Sequence, residues 1–142
     1  MGGTTVLMAA DLPLPDAVRG IIADSAFTSP HAIWQHVAQK NLHIPFALGG
    51  MIADRICRRR LSMGSGDCST LNALSATSKP VLLIHGEDDH FVPVRMAYEN
   101  RDACQAPCQL LIVPGADHAM SYYADRQKYE KALRRFWSAY DA

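Results

Sequence analysis

The chain has 142 residues, the length of one ordinary domain. Hydrophobic residues make up 49% and charged residues 20% of it, a composition typical of a folded globular protein. With 14 basic and 14 acidic side chains the formal net charge is zero, so no long-range field of one sign favours nucleic acid or an anionic membrane as a partner. No apolar run reaches the roughly 18 residues that a membrane-spanning helix needs.

The cysteines and the N-terminal residues indicate the cellular compartment and whether a metal or cofactor is expected. No two cysteines form a C-x-x-C pair and no ligand spacing indicates a metal, so we expect free thiols, a reducing compartment, no metal and no cofactor. Residues 1–4 lack the basic region of a signal peptide. Together these features predict a cytoplasmic protein. The cysteines are Cys57, Cys68, Cys104 and Cys108.

The first elements in chain order are short. Small and apolar residues at 2–10 predict a helix, and residues 11–16 predict a loop because they contain two prolines. Residues 18–23 predict a short buried strand.

Two helices are predicted next, before a loop. Ser29-Pro30 is typical of a helix start, with serine at the N-cap and proline at the first helical position. We expect this helix to end near Asn41 and a second helix to cover about 45–60, with Phe46, Ile52 and Ile56 on its apolar side. Four arginines near its end are expected to be solvated cations that suit the helix dipole: Arg55, Arg58, Arg59 and Arg60. Residues 62–69 are rich in glycine, serine and aspartate and predict a loop.

The second half of the chain alternates between strands and helices. Val81 to Ile84 is a run of four apolar residues, the pattern of a strand that is buried on both faces. Val92-Pro93 indicates the start of a helix that reaches about Cys104, and 109–113 predicts the next strand. The last helix carries one apolar stripe and a Glu130–Arg134 pair on its other side. That stripe consists of Tyr129, Ala132, Leu133, Phe136, Trp137 and Tyr140.

This alternation predicts βαβ units and a parallel sheet, which places function at the carboxyl ends of the strands. Two such ends are polar, 85–90 and 114–118. They offer a carboxylate, which can fix the tautomer of an imidazole, and an imidazole whose other nitrogen can take a proton from a nucleophile.

Two motifs resemble those of the α/β-hydrolase family. The segment His85-Gly86-Glu87-Asp88-Asp89-His90-Phe91-Val92-Pro93 resembles the acid loop H-G-x-x-D-x-x-V-P. Gly115-Ala116-Asp117-His118, followed by Ser121-Tyr122, resembles the histidine loop of the family. The resemblance implies an α/β fold, namely the C-terminal part of an α/β-hydrolase domain over residues 1–142. It has a mostly parallel sheet flanked by helices, and a helical lid is expected as an insertion at 29–65.

The resemblance also implies residue roles. Asp89 matches the acid of a Ser-Asp-His triad and His118 its base, in the family's chain order. Glu87 and Asp88 are expected to be solvated or capping carboxylates, since Asp88 stands one residue too early in the motif. Among the other histidines, His85 is expected to bond nearby backbone and His90 to be exposed, while the lid is expected to contain His31, His36 and His43.

The nucleophile motif G-x-S-x-G is absent from the chain. The segment Gly64-Ser65-Gly66 follows a predicted helix rather than a buried strand, and therefore does not qualify. Many relatives have G-x-S-M-G-G at this turn, and Met1-Gly2-Gly3 matches its last three residues. We therefore expect that the chain begins one residue after the serine, and that the backbone N–H of Met1 would be an oxyanion donor.

The implied function is that of a serine hydrolase fragment, inactive alone, for a carboxylic ester, thioester or amide. Its substrate would be a small molecule or short peptide with an acyl group. The lid's large apolar residues are either core-facing or line a substrate pocket: Trp34, Phe46, Met51 and Met63. The alternative is a non-catalytic pseudoenzyme or interaction module on the same scaffold. An exposed sheet edge would also permit self-association.

Overall fold

The computed structural model describes residues 1–41 and 45–140, and its strands form one parallel sheet in the order β1-β2-β3. The strands are β1 (Ile21–Asp24), β2 (Val81–Gly86) and β3 (Cys108–Val113). In register, Ala23 pairs with Leu83, which pairs with Leu110 on the other side. The predicted parallel sheet is confirmed.

Helices occupy the connections and both ends of the chain. They are α1 (Gly2–Met8), α2 (Pro30–His36), α3 (Phe46–Leu61), α4 (Thr70–Ala76), α5 (Arg95–Ala103), α6 (Ser121–Ala124) and α7 (Arg126–Tyr140). A π-helical turn, Val37–Asn41, continues α2. Within the described ranges, no helix has the length and apolar character to cross a bilayer.

Strand β2 is buried on both faces, as its apolar run predicts. On one face, Val81 and Leu83 pack into a cluster with α1 and α4. On the other, Leu82 and Ile84 pack with Phe136 of α7. Successive side chains of a strand point to opposite faces, so a run without polar residues requires cover on both sides.

Helix α1 packs closely against the end of β1. A Cβ at Gly3 would lie 2.6 Å from the carbonyl oxygen of Asp24, closer than any side chain allows. Glycine at this position lets the N-terminal turn of α1, and with it Met1, lie beside the carboxyl end of the sheet. The candidate functional site lies at this end of the sheet.

Some element boundaries differ from the sequence prediction. Strand β1 begins at Ile21 rather than Val18, because the N–H of Val18 closes a turn on the carbonyl of Pro15 at 2.9 Å. Helix α5 begins at Arg95 rather than Val92, whose N–H donates to Asp89 in the preceding loop. Helix α4 was not predicted, since the Ser69 that caps it was assigned to the preceding loop.

Two predicted apolar faces are only partly buried. Ile52 and Ile56 of α3 are 55% and 51% exposed, and the helix turns Ala53 inward instead. On α7, Phe136 is buried, but Trp137 remains 50% exposed. The predicted Glu130–Arg134 pair is present on α7, at 3.0 Å.

The outer edge of β1 leads to a prediction about association. Strand β1 pairs with β2, and no other described strand occupies its second edge. Unpaired strand edges pair readily with other chains. We therefore expect the 142-residue chain to form dimers or larger species that grow with concentration in light scattering. A monodisperse monomer with a cooperative, high melting transition would contradict this expectation.

Candidate functional site

The loops after β2 and β3 meet at Gly86. A Cβ at this position would overlap the carbonyl oxygen of Ala116, so only glycine lets the two loops touch. The contact is then closed by backbone hydrogen bonds. The N–H of Glu87 donates to Val113 at 2.9 Å, and that of Asp88 to Ala116 at 3.0 Å. The two polar strand ends that the sequence singled out therefore form one site.

Asp89 and His118 form a hydrogen-bonded pair at this contact. Oδ2 of Asp89 lies 2.8 Å from Nδ1 of His118; the carboxylate is fully buried, whereas the imidazole is 33% exposed. Since an ionised carboxylate only accepts hydrogen bonds, Nδ1 donates to it, and in the neutral imidazole Nε2 is the nitrogen that keeps a lone pair. Among the described residues, Nε2 has no hydrogen-bond partner. The pair can thus take a proton from a group that lies next to Nε2.

Both oxygens of the Asp89 carboxylate have polar contacts. Its Oδ1 accepts the backbone N–H groups of Phe91 at 2.9 Å and of Val92 at 2.7 Å. The buried imidazole of His85 donates from Nε2 to the carbonyl of Val92 at 2.8 Å and lies 3.3 Å from Oδ2 of Asp89. The sequence predicted only the backbone contact of His85, and its contact with Asp89 was missed.

These contacts set the pKa of Asp89. Burial by itself would raise that pKa, but the polar contact with His85 and the hydrogen bonds from the N–H of Val92 and from His118 outweigh it and lower it to about 2. The carboxylate is therefore charged throughout the neutral range. It can stabilise an imidazolium at His118 without taking up the proton itself.

The lowered pKa predicts how stability depends on pH. The folded-state pKa, about 2, lies below the unfolded value of 3.8. The ionised carboxylate therefore stabilises the fold above pH 3.8, and this stabilisation disappears as pH falls towards 2, a loss of about 2 kcal/mol. In urea unfolding, Asp89→Asn should flatten the pH dependence in this window, whereas Asp88→Asn should not. Equal pH slopes for wild type and Asp89→Asn would contradict the assignment.

The charged and polar residues next to Asp89 and His118 are not part of that hydrogen-bonded pair. Glu87, Asp88 and His90 are exposed, as predicted. Asp117 connects the acid loop to the histidine loop, because its Oδ1 accepts the backbone N–H of His90 at 3.0 Å and of His118 at 2.7 Å. Those hydrogen bonds, from His90 first, lower the pKa of Asp117. The sequence did not predict that Asp117 connects the two loops, since it occupies a variable position in the histidine-loop motif.

Ser65 lies apart from the pair, as its position after a helix predicts. It is buried, and its hydroxyl donates to Asp54 of α3 at 3.0 Å, while its carbonyl accepts the N–H of His31 at 3.2 Å. The hydrogen bond between His31 and Ser65 connects the start and the end of segment 29–65. His36 lies on α2, and His43 falls outside the described residues.

An apolar cavity of about 580 Å³ has Phe91 of the acid loop among its lining residues. The ring of Phe91, in its wall, contacts the imidazole of His118 edge-on at 5.2 Å. Trp34 and Phe46 line it, whereas Met51 and Met63 are exposed and take no part. The lining consists of Met1, Phe27, Pro30, Ile33, Trp34, Val37, Ala38, Pro45, Phe46, Gly49, Ala53 and Phe91.

The four cysteines are free and half-buried. Within residues 1–41 and 45–140, no three side chains of histidine, cysteine, aspartate or glutamate come together as metal ligands would. Met1 lies at the N-terminus of α1 and is among the residues that line the cavity.

Comparison with known proteins gives one curated relative and several solved structures. No family model matches the chain. The uncharacterized protein YqkD of Bacillus subtilis is 29% identical over 136 residues, which are 96% of this chain and 45% of that protein. The chain thus spans less than half the length of this relative.

The similar structures include a peptidase and several esterases. An acylaminoacyl peptidase of Pyrococcus horikoshii matches with a TM-score of 0.69 at 13% identity, over 96% of this chain and 22% of that one. The esterase domain of a Rhodothermus marinus protein matches with a TM-score of 0.65 at 21% identity, over 99% and 57%. A Pyrococcus furiosus esterase matches with a TM-score of 0.66 at 18% identity, over 100% and 51%.

Proposed function

We propose that this chain, which has the fold of the C-terminal part of an α/β-hydrolase, supplies the acid and the base of a serine hydrolase. The observation that carries the proposal is the bond between the buried Asp89 carboxylate and Nδ1 of His118, which leaves Nε2 available. The ring of Phe91, which contacts this imidazole, lines an apolar cavity. The esterases and the peptidase with similar structures support a hydrolase.

The geometry suits one proton path. Nε2 of His118 accepts the proton of a serine hydroxyl while the serine oxygen attacks the acyl carbon, and Asp89 stabilises the imidazolium. His118 then returns the proton to the leaving alcohol, thiol or amine, so that an acyl-enzyme remains. Water activated by the same nitrogen releases the acid. Backbone N–H groups, including that of Met1, would hold the oxyanion.

The serine itself is proposed to precede Met1. Gly3 lets the first turn of α1 approach the end of β1, and Met1 lines the cavity. A nucleophile on a strand-to-helix turn immediately before Met1 would therefore point to the site of His118. This placement also agrees with a chain that spans 45% of its curated relative.

The cavity indicates the kind of substrate. Its lining is apolar and aromatic, which suits the acyl part of an ester, thioester or amide in a small molecule or short peptide. Segment 29–65 is proposed to act as the lid, because α2 and α3 supply Trp34 and Phe46 to the cavity wall.

Filling the cavity should change acyl-chain preference. Ala53 of α3 is half-buried and lines the cavity. Ala53→Phe should lower kcat/KM for long acyl chains several-fold per excluded methylene, about 0.8 kcal/mol each, and leave acetyl esters unaffected. Ala47→Phe on the exposed side of α3 is the matched control. A uniform loss for all chain lengths would contradict the proposed use of the cavity.

The test of the function starts from the reading frame. The in-frame sequence upstream of Met1 is determined, and the chain is expressed with it as the extended protein. Panels of esters, thioesters and aminoacyl amides should reveal turnover that disappears in His118→Ala. If no upstream G-x-S exists, or if turnover is indifferent to His118, the non-catalytic alternative replaces the proposal.

A further inference from the structure

Ser25 has an unusual backbone conformation and is hydrogen-bonded to Ala119, the residue after His118. It follows β1, is buried, and has φ +52°, in the left-handed region that non-glycine residues seldom occupy. Its N–H donates to the carbonyl of Ile84 at 3.0 Å, which anchors it to the sheet. Ala119, the residue after His118, also has a positive φ, +59°. Strained residues of this kind persist where the surroundings impose them, and they cluster at functional sites.

A hydrogen bond connects these two strained residues. The backbone N–H of Ala119 donates to the Ser25 hydroxyl oxygen at 3.2 Å. The Ser25 hydroxyl in turn donates to Oδ1 of Asp24 at 3.0 Å. Tyr129 of α7 lies near Asp24, and burial, followed by the Asp24 charge, raises the pKa of Tyr129 to about 12. The only hydroxyl proton of Ser25 is therefore committed to Asp24, which leaves a lone pair for Ala119.

We infer that Ser25 is a positioning residue for His118: its hydroxyl, oriented by Asp24, fixes the backbone after the histidine and so keeps Nδ1 in line with Asp89. Asp117 holds the backbone N–H of His118 itself, and Ser25 holds the next one. Two adjacent anchors leave the imidazole little freedom. The inference rests on the proposed function of His118 as a base.

The same contacts exclude Ser25 as a hidden nucleophile. Its strand-end position and positive φ resemble the strained turn on which such a serine sits. Its proton, however, is donated to Asp24 rather than to Nε2 of His118. It therefore acts as an acceptor that holds the histidine loop.

The test compares two variants of Ser25 in the extended protein. Ser25→Ala removes the hydroxyl but keeps a side chain at the strained positive φ. Ser25→Gly removes the hydroxyl and also relieves the backbone strain. In ¹H–¹⁵N spectra of histidine-labelled protein, both should accelerate solvent exchange of the His118 Nδ1 proton. Both should also lower kcat about tenfold to hundredfold with KM unchanged, since small misplacements of a reacting group are that costly.

Two controls separate positioning from stability. Ser69→Ala removes a hydroxyl that accepts the N–H of Leu71 at 3.2 Å, far along the chain from the pair, and Ser62→Gly relieves a positive φ of +57° at the end of α3. Neither should change the His118 signal. If Ser25→Ala behaves like Ser69→Ala, or if Ser25→Gly retains the wild-type signal and kcat, the inference is overturned. Because the Nδ1 signal needs no turnover, an extended protein that hydrolyses nothing refutes the proposed function and still tests this inference.

Discussion

Asp89→Asn in the extended protein is expected to lower kcat by about 10⁴-fold, as in serine proteases with the same change. An amide cannot accept the Nδ1 proton of His118 and the N–H groups of Phe91 and Val92 as the carboxylate does. The imidazole would adopt the wrong tautomer, and an imidazolium would lose its counter-charge. Steady-state kinetics on an activated ester measure the effect, and circular dichroism checks that the fold remains.

Asp88→Asn is the matched control for this experiment. Asp88 is adjacent to Asp89 but exposed, and its described link to the histidine loop is the backbone bond to Ala116. We expect a loss of about tenfold or less, because an exposed charge is screened by water. If the two variants lose activity in the reverse order, the acid has been assigned to the wrong residue.

The second large effect concerns the 142-residue polypeptide by itself. It is expected to show no hydrolysis that depends on His118, which amounts to a rate about 10⁶-fold below that of the extended protein, the size of the loss when a triad serine is removed. A base without a nucleophile can at best activate water. The measurement is hydrolysis of an activated ester by the wild-type polypeptide and by His118→Ala.

The comparison of these two polypeptides decides the outcome. Residual hydrolysis that is equal in both is explained by surface nucleophiles and agrees with the expectation. Hydrolysis by the wild-type polypeptide that disappears in His118→Ala would show a complete catalytic apparatus within residues 1–142 and contradict it.

The sequence predicted the sheet and the Asp89–His118 pair because their signals are local. The run Val81 to Ile84 has no polar residue, which is the pattern of a strand covered on both sides. The two loops carry short motifs at the ends of neighbouring strands, and parallel topology brings such ends together. The contact between them requires Gly86, which the acid-loop motif contains.

What the sequence did not predict depends on long-range contacts. The link from Ser25 to Ala119 joins residues 94 positions apart, and no periodicity reports it. The apolar side of α3 was predicted only in part: Phe46 lines the cavity, but Ile52 and Ile56 are exposed, and Ala53 faces the cavity instead. Helix α4 has seven residues, too few for a periodic pattern to stand out.

The most direct measurement of the central claim is covalent labelling of the extended protein with a fluorophosphonate, followed by peptide mass spectrometry. Such reagents phosphonylate a serine that a neighbouring base has activated. The proposal predicts one adduct, on the serine immediately before Met1, with labelling lost in His118→Ala and strongly slowed in Asp89→Asn but not in Asp88→Asn. An absence of adduct, or an adduct that forms equally well in His118→Ala, would contradict the assignment of Asp89 and His118 as the acid and base of a serine hydrolase.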